Sequence, residues 1–145
     1  MRRELTALLG EIPEPLTGVS SLAIGADQLF AEVVLELKGD LEAVIPFPDY
    51  ERTFANEADL TQYRVLKAAS KGVEILPDGA TDDEAYLNAG RRVSDLSDLL
   101  IAVWDGQPAR GVGGTADVVH YAARAGRRVV QLNPVSHGVK YWDPE

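Results

Sequence analysis

The stretch SDLLIAVWDG at residues 97–106 is followed, after three residues, by RGVGGTAD at residues 110–117. The apolar run from Leu99 to Trp104 is typical of a buried parallel strand. The acidic residue and the glycines after it predict a loop that opens a helix, and α/β proteins bind phosphate-bearing ligands at such places. We therefore expect the function of the chain to lie at the carboxyl end of this strand.

Composition narrows the classes of protein that remain. The 145 residues, 46% of them hydrophobic, suit one domain covering residues 1–145. The net charge of −9 disfavours nucleic acid and anionic membranes as partners, because such binding relies on Lys and Arg. An anionic ligand would need backbone N–H groups and a few arginines. The chain has no cysteine, which excludes disulfides, thiol catalysis and thiolate metal sites.

No apolar run approaches the roughly 18 residues of a membrane span. The start of the chain, Met1 to Glu4, lacks the apolar core of a signal peptide. We therefore expect a cytoplasmic protein.

Helix-period and strand-like segments alternate along the chain, and glycines or prolines separate them. Thr81 and Glu84 form a predicted capping box, and the tail from residue 133 to 145 is predicted to be irregular or to add an edge strand. The predicted helices are Arg2–Leu9, a segment opening at Gly25–Gln28 and ending at Gly39, Ala58–Ser70, Thr81–Leu96 and Thr115–Ala125. The predicted strands are Leu16–Ile24, Leu41–Pro46, Val73–Leu76, Leu99–Trp104 and Arg127–Leu132.

This alternation predicts a Rossmann-like three-layer α/β/α sandwich with a mainly parallel sheet, because parallel strands need helical crossovers. Ligands of such folds lie outside the carboxyl ends of the strands. We expect four strand ends to converge on one crevice, at Gly25–Gln28, Pro46–Tyr50, Asp105 and Gly111–Asp117.

The glycine segment carries the strongest chemical signal. Gly111, Gly113 and Gly114 have no side chain to keep a phosphate from backbone N–H groups, and Thr115 either caps the helix or bonds the ligand. The segment matches neither the dinucleotide fingerprint nor the P-loop. The alternative is that these glycines only make a tight strand-to-helix turn.

Three segments in order, at residues 18–31 (GVSSLAIGADQLFA), 44–48 (VIPFP) and 97–117, are similar to motifs of the SLOG superfamily. That superfamily groups the DNA-processing protein DprA, the LOG phosphoribohydrolases and domains that bind nucleotides or nucleotide-derived signals, often in bacterial stress and conflict systems. The similarity covers about residues 16–133. It implies a Rossmann-like fold and a nucleotide-type ligand.

The chain departs from the LOG enzymes at one residue. Their motif Gly-Gly-x-Gly-Thr-x-x-Glu carries a glutamate that acts on the ribose, and aligning Gly114-Thr115 places Val118 at that position. The same offset holds the nucleophile of nucleoside deoxyribosyltransferases. A valine cannot act as acid, base or nucleophile. Binding or sensing is therefore favoured over glycosidic-bond hydrolysis or transfer, for which Asp117 or Asp105 would be the first suspects.

The chain also departs from the superfamily at its start, where members carry a further strand ending in a Gly-His-Arg-like motif. Here the sequence begins within what resembles the following helix. We expect that the chain lacks the first native strand and part of its ligand site; the alternative is that its tail or a partner chain fills the central gap.

The remaining candidates each have a structural alternative. Asp27 either caps a helix or bonds a ribose hydroxyl or the ligand base. Asp105 either starts a turn or contacts the ligand, and Arg110 either pairs with a phosphate or stays solvated. The predicted ligand-binding residues are Gly25, Ala26, Asp27, Pro46, Asp105, Arg110, Gly111, Gly113, Gly114, Thr115 and Asp117.

Other side chains receive weaker predictions. Tyr50 and Arg52 either flank a base and a phosphate or belong to a surface loop, and Trp104 is more typical of a core residue than of a stacking platform. His120 and His137 lack metal-ligand spacing, so we predict no metal and no cofactor. The expected partners are a nucleotide-like small molecule and a second copy of the chain in a homodimer.

Overall fold

The computed structural model describes residues 1–79, 81–107 and 114–142. Within these residues the chain is an α/β protein with five α-helices and two three-stranded sheets. It divides into two compact units, Met1–Asp78 and Gly79–Glu145, here called unit 1 and unit 2. The predicted site residues Arg110, Gly111 and Gly113 lie outside the described residues.

The elements of unit 1 are α1 (Arg2–Gly10), β1 (Thr17–Ser20), α2 (Ala26–Glu36), β2 (Asp40–Ile45), a 3₁₀ turn (Tyr50–Thr53), α3 (Glu57–Ala69) and β3 (Gly72–Ile75). The strands form a wholly parallel sheet in the order β1-β2-β3. Val33 and Val34 of α2 and Leu41 of β2 are fully buried in the core of this unit. A Cβ added to Gly18 would lie 2.6 Å from Val34 Cγ2, so glycine lets α2 pack closely on β1.

The first strand is shorter than predicted, since it ends at Ser20 rather than Ile24. The Ser20 hydroxyl accepts the N–H of Leu22 at 3.0 Å, and Leu22 adopts a left-handed φ of 58°. This local hydrogen bond turns the backbone out of the extended conformation. The chain from Ser21 to Gly25 is therefore a loop at the carboxyl end of the strand.

The elements of unit 2 are α4 (Asp82–Asp95), β4 (Leu99–Val103), α5 (Thr115–Arg124), β5 (Arg128–Leu132) and β6 (Val139–Trp142). The strand order is β4-β5-β6, with β4 parallel and β6 antiparallel to β5. The tail therefore adds an edge strand, one of the two predicted outcomes. Burial alternates along β4. Leu100 and Ala102 are buried, whereas their neighbours are partly exposed, so the strand fully buries one face rather than two.

Among the described residues, no helix has the length and apolar character needed to cross a membrane.

The predicted capping box at the start of α4 is confirmed. Thr81 Oγ1 accepts the Glu84 N–H at 3.2 Å, and the Glu84 carboxylate accepts the Thr81 N–H at 3.4 Å. Replacing Thr81 by alanine should lower the free energy of unfolding by about 1 kcal/mol, measured by urea denaturation, because an N–H group loses its acceptor. Thr81→Ser keeps the hydroxyl and should lose much less; equal losses in both variants would contradict the assignment.

Candidate functional site

Gly25 precedes α2 with a backbone conformation that favours glycine. Its φ is 92° and its ψ is −121°, and it serves as the N-cap without a side-chain hydrogen bond. A Cβ added to Gly25 would meet nothing within 4 Å. Glycine is therefore required here by the backbone conformation and not by crowding, and the space beside it is open.

Asp27 lies in the first turn of α2, but its carboxylate bonds the preceding loop. It accepts the N–H of Ala23 at 3.3 Å and a backbone hydrogen bond from Ser21. Burial of the carboxyl group raises its pKa above the ordinary value of 3.8, and these two hydrogen bonds oppose the rise. Desolvated carboxyl groups with shifted pKa values occur often at functional sites. The neighbouring Ala26, which begins α2, is partly exposed.

Gln28 ends the predicted segment Gly25–Gln28 and is not among the predicted ligand-binding residues, but it has a structural role. Its side chain is 6% exposed, and its Nε2 donates to the carbonyls of Leu22 at 3.3 Å and Asp59 at 3.2 Å. This amide therefore ties the β1–α2 loop to the start of α3. Gln28 lies roughly opposite the apolar stripe of the predicted helix, so helical periodicity gave no signal for its burial.

The segment after β2 is held by aromatic packing. Pro46 is buried, and Tyr50 is 3% exposed with its ring edge-on to Phe47 and Phe54. Tyr50 is thus a packing residue, neither in an exposed loop nor open to a base. The Arg52 side chain is half exposed, and its guanidinium lies 4.8 Å from the centre of the Phe47 ring.

Asp105 follows β4 and forms a turn. Its Oδ1 accepts the N–H of Gln107 at 3.0 Å, and the intervening Gly106 has a φ of 87°. This geometry agrees with the turn-initiating alternative for Asp105, whose side chain is exposed.

The amino terminus of α5 begins at Gly114, which has a φ of −69° and a ψ of 165°. Any residue adopts this extended conformation, so the backbone does not require glycine here. Gly114 has no side chain with which to cap this helix, and Thr115, which is exposed, is its first residue rather than its cap. By contrast, Asn56 caps α3 by accepting two N–H groups, and Thr81 caps α4.

Val118 occupies a packing position. A Cβ added to Gly90 of α4 would lie 2.5 Å from Val118 Cγ2, so the two helices approach closely at this point. Val118 also packs against the core around Val119. The residue at which the LOG-like motif has its glutamate is therefore used for helix–helix contact. Asp117 lies beside it in the first turn of α5.

The predicted ligand-binding residues that the structure describes belong partly to unit 1 and partly to unit 2. Gly25, Ala26, Asp27 and Pro46 follow the carboxyl ends of β1 and β2 in unit 1. Asp105, Gly114, Thr115 and Asp117 lie between the carboxyl end of β4 and the start of α5 in unit 2. Within residues 1–79, 81–107 and 114–142, no cluster of His, Asp and Glu is suited to hold a metal ion.

No protein-family model matches the chain, and no curated protein matches it.

The raised pKa of Asp27 predicts a pH dependence of stability. A folded-state pKa above 3.8 means that the folded protein binds this proton more tightly than the unfolded chain. The stability contribution of Asp27 is therefore complete below pH 3.8 and is lost as the pH rises through the folded pKa. Asp27→Asn keeps an oxygen for the Ala23 N–H but does not titrate. Relative to this variant, the wild type should become less stable in urea denaturation as the pH rises from about 4; a constant or increasing difference would contradict this.

The contact between Gly90 and Val118 predicts coupled substitutions. Gly90→Ala should lower the free energy of unfolding by about 1–3 kcal/mol, because its methyl group overlaps Val118. Val118→Ala removes the overlapping methyl groups, so the double variant should lose clearly less than the sum of the single losses. Urea denaturation of the four proteins measures this coupling, and strict additivity would show that α4 and α5 do not meet here.

Proposed function

We propose that this chain binds a nucleotide or a nucleotide-derived ligand, whose phosphate accepts hydrogen bonds from backbone N–H groups at the start of α5. The observation that carries the proposal is the glycine at the N-cap of this helix. Its backbone is extended, and it makes no side-chain cap hydrogen bond. A residue with a capping side chain would fit the same conformation, so glycine leaves the N–H groups accessible to an external acceptor.

Electrostatics supports an anionic ligand at this place. The amino terminus of a helix carries roughly half a positive elementary charge, which favours phosphate. Because the chain has a net charge of −9, general attraction does not draw anions to it, and local donors must do so. The glycines before Gly114 in the sequence add to this interpretation. The similarity to the SLOG superfamily, with its Rossmann-like three-layer sandwich, is part of the same proposal.

Within unit 1, Asp27 is proposed as a separate polar contact for a ribose-containing ligand. Its carboxyl group stays at a site where burial raises its pKa, although an asparagine oxygen would also accept the Ala23 N–H. A desolvated carboxyl group with a raised pKa is typical of binding and catalytic sites. A carboxylate accepts hydrogen bonds from ribose hydroxyls, as in other nucleotide-binding α/β folds. Asp27→Asn should therefore weaken binding of a ribose-containing ligand within unit 1 without loss of the fold.

Binding is favoured over glycosidic-bond cleavage because of Val118. Its side chain packs at the close approach of α4 and α5, and it offers no carboxylate to a ribose. The proposal is therefore a binding or sensing domain, suited to a cytoplasmic role in bacterial stress or conflict and to a homodimer.

The test is a panel of AMP, ATP, cyclic nucleotides, NAD and ADP-ribose in thermal-shift and calorimetric titrations. A ligand at 100 times its dissociation constant should stabilise the protein by about 2.7 kcal/mol. Gly114→Asp should abolish this effect, because its carboxylate occupies the N–H groups and repels the phosphate. Since aspartate is a preferred N-cap, this variant should fold with at least the stability of the wild type.

Val135→Asp is the matched control, because it adds the same charge at a side chain that is 80% exposed. It should bind like the wild type. The proposal is wrong if no member of the panel binds, or if Gly114→Asp binds as tightly as Val135→Asp.

A further inference from the structure

Three aromatic rings of unit 2 meet beside α5. Trp104 follows β4, His120 lies on α5, and Trp142 lies on β6. The imidazole centre is 6.3 Å from the Trp104 ring and 6.1 Å from the Trp142 ring, at interplanar angles of 79° and 81°. The two indoles are 5.9 Å apart. We call these three residues the ring cluster.

The two indoles of the ring cluster are fixed in place. Trp104 Nε1 donates to the Gln107 carbonyl at 2.8 Å, and Trp142 Nε1 donates to Gln131 Oε1 at 3.0 Å. Gln131, which is 8% exposed, in turn donates from Nε2 to the Trp104 carbonyl at 3.0 Å. Both indoles also pack against the core cluster of unit 2. They are therefore rigid supports, in agreement with the core role predicted for Trp104.

His120 differs from its two neighbours, because it is exposed. The ammonium of Lys140 lies 4.6 Å from the centre of the Trp142 ring and covers it. The imidazole is therefore the exposed ring of the cluster, whereas both indoles are only partly exposed, and it lies edge-on to them. An exposed aromatic ring held in one orientation suits stacking of a planar group, because little side-chain freedom is lost on binding.

We infer that His120 stacks on the nucleobase of the ligand, and that Trp104 and Trp142 are positioning residues for it. This inference rests on the proposed function. His120 is five residues beyond Thr115, or about 7.5 Å along the helix axis. A phosphate at the start of α5 leaves the base of the same nucleotide within reach of this ring. Stacking on His, Phe, Tyr or Trp is a general mode of base recognition.

The experiment compares AMP with ribose 5-phosphate, which lacks the base, in calorimetric titrations of wild type, His120→Ala and His120→Phe. Alanine removes the ring and should weaken AMP binding by about 5- to 150-fold, the range for one stacked base. Phenylalanine keeps an aromatic ring and should bind AMP within about threefold of the wild type. Ribose 5-phosphate should bind all three proteins equally.

Tryptophan fluorescence gives a second readout, because the two tryptophans of the chain both belong to the ring cluster. AMP should change the emission of the wild type, and ribose 5-phosphate should not. Equal AMP affinity in wild type and His120→Ala overturns the inference, as does an equal loss for ribose 5-phosphate. Binding of ribose 5-phosphate without AMP overturns it while the phosphate site stands. If neither AMP nor ribose 5-phosphate binds, the stacking inference is also wrong, and the nucleotide panel tests the proposed function separately.

Discussion

Parallel pairing of strands is the constraint on which both units depend. In unit 1, β1 pairs with β2 and β2 with β3, and in unit 2, β4 pairs with β5. The chain must return to the start of the sheet between parallel partners, and in each case a helix makes this crossover. Each such helix begins beyond the carboxyl end of a strand, with backbone N–H groups that lack an intrahelical acceptor. The topology thus determines where the unpaired donors lie.

The helices differ in what lies at their amino termini, where the backbone N–H groups lack an intrahelical acceptor. Asn56 and Thr81 supply oxygen acceptors to α3 and α4, whereas α2 and α5 begin at Gly25 and Gly114. At Gly25 the positive φ explains the residue, but at Gly114 the extended backbone does not. A capping side chain there would add only a few tenths of a kcal/mol to stability, and it would cover the donors that a phosphate needs. We propose that binding chemistry, rather than stability, accounts for the glycine at this position.

Local signals located the helices well, because periodicity, glycines and capping residues act within one turn. The predicted ends of α3, α4 and α5 lie within one residue of the observed ones. The early end of β1 was not predictable, since leucine rarely adopts the left-handed conformation of Leu22. The burial of Tyr50 and the ring cluster depend on contacts between elements distant in sequence. For Asp27 and Asp105 the sequence predicted two roles, a structural one or contact with a ligand. It did not decide between them, because both carboxylates accept hydrogen bonds from nearby backbone N–H groups.

The most direct test of the central claim is a ¹H–¹⁵N correlation titration of the labelled protein with ADP-ribose. The account predicts that the amide signals of Thr115 and Ala116 shift most strongly and saturably, because a phosphate accepts hydrogen bonds from the first turn of α5. It also predicts that these shifts vanish in Gly114→Asp while the remaining spectrum is retained. Saturable binding that leaves both amides unmoved would contradict the account.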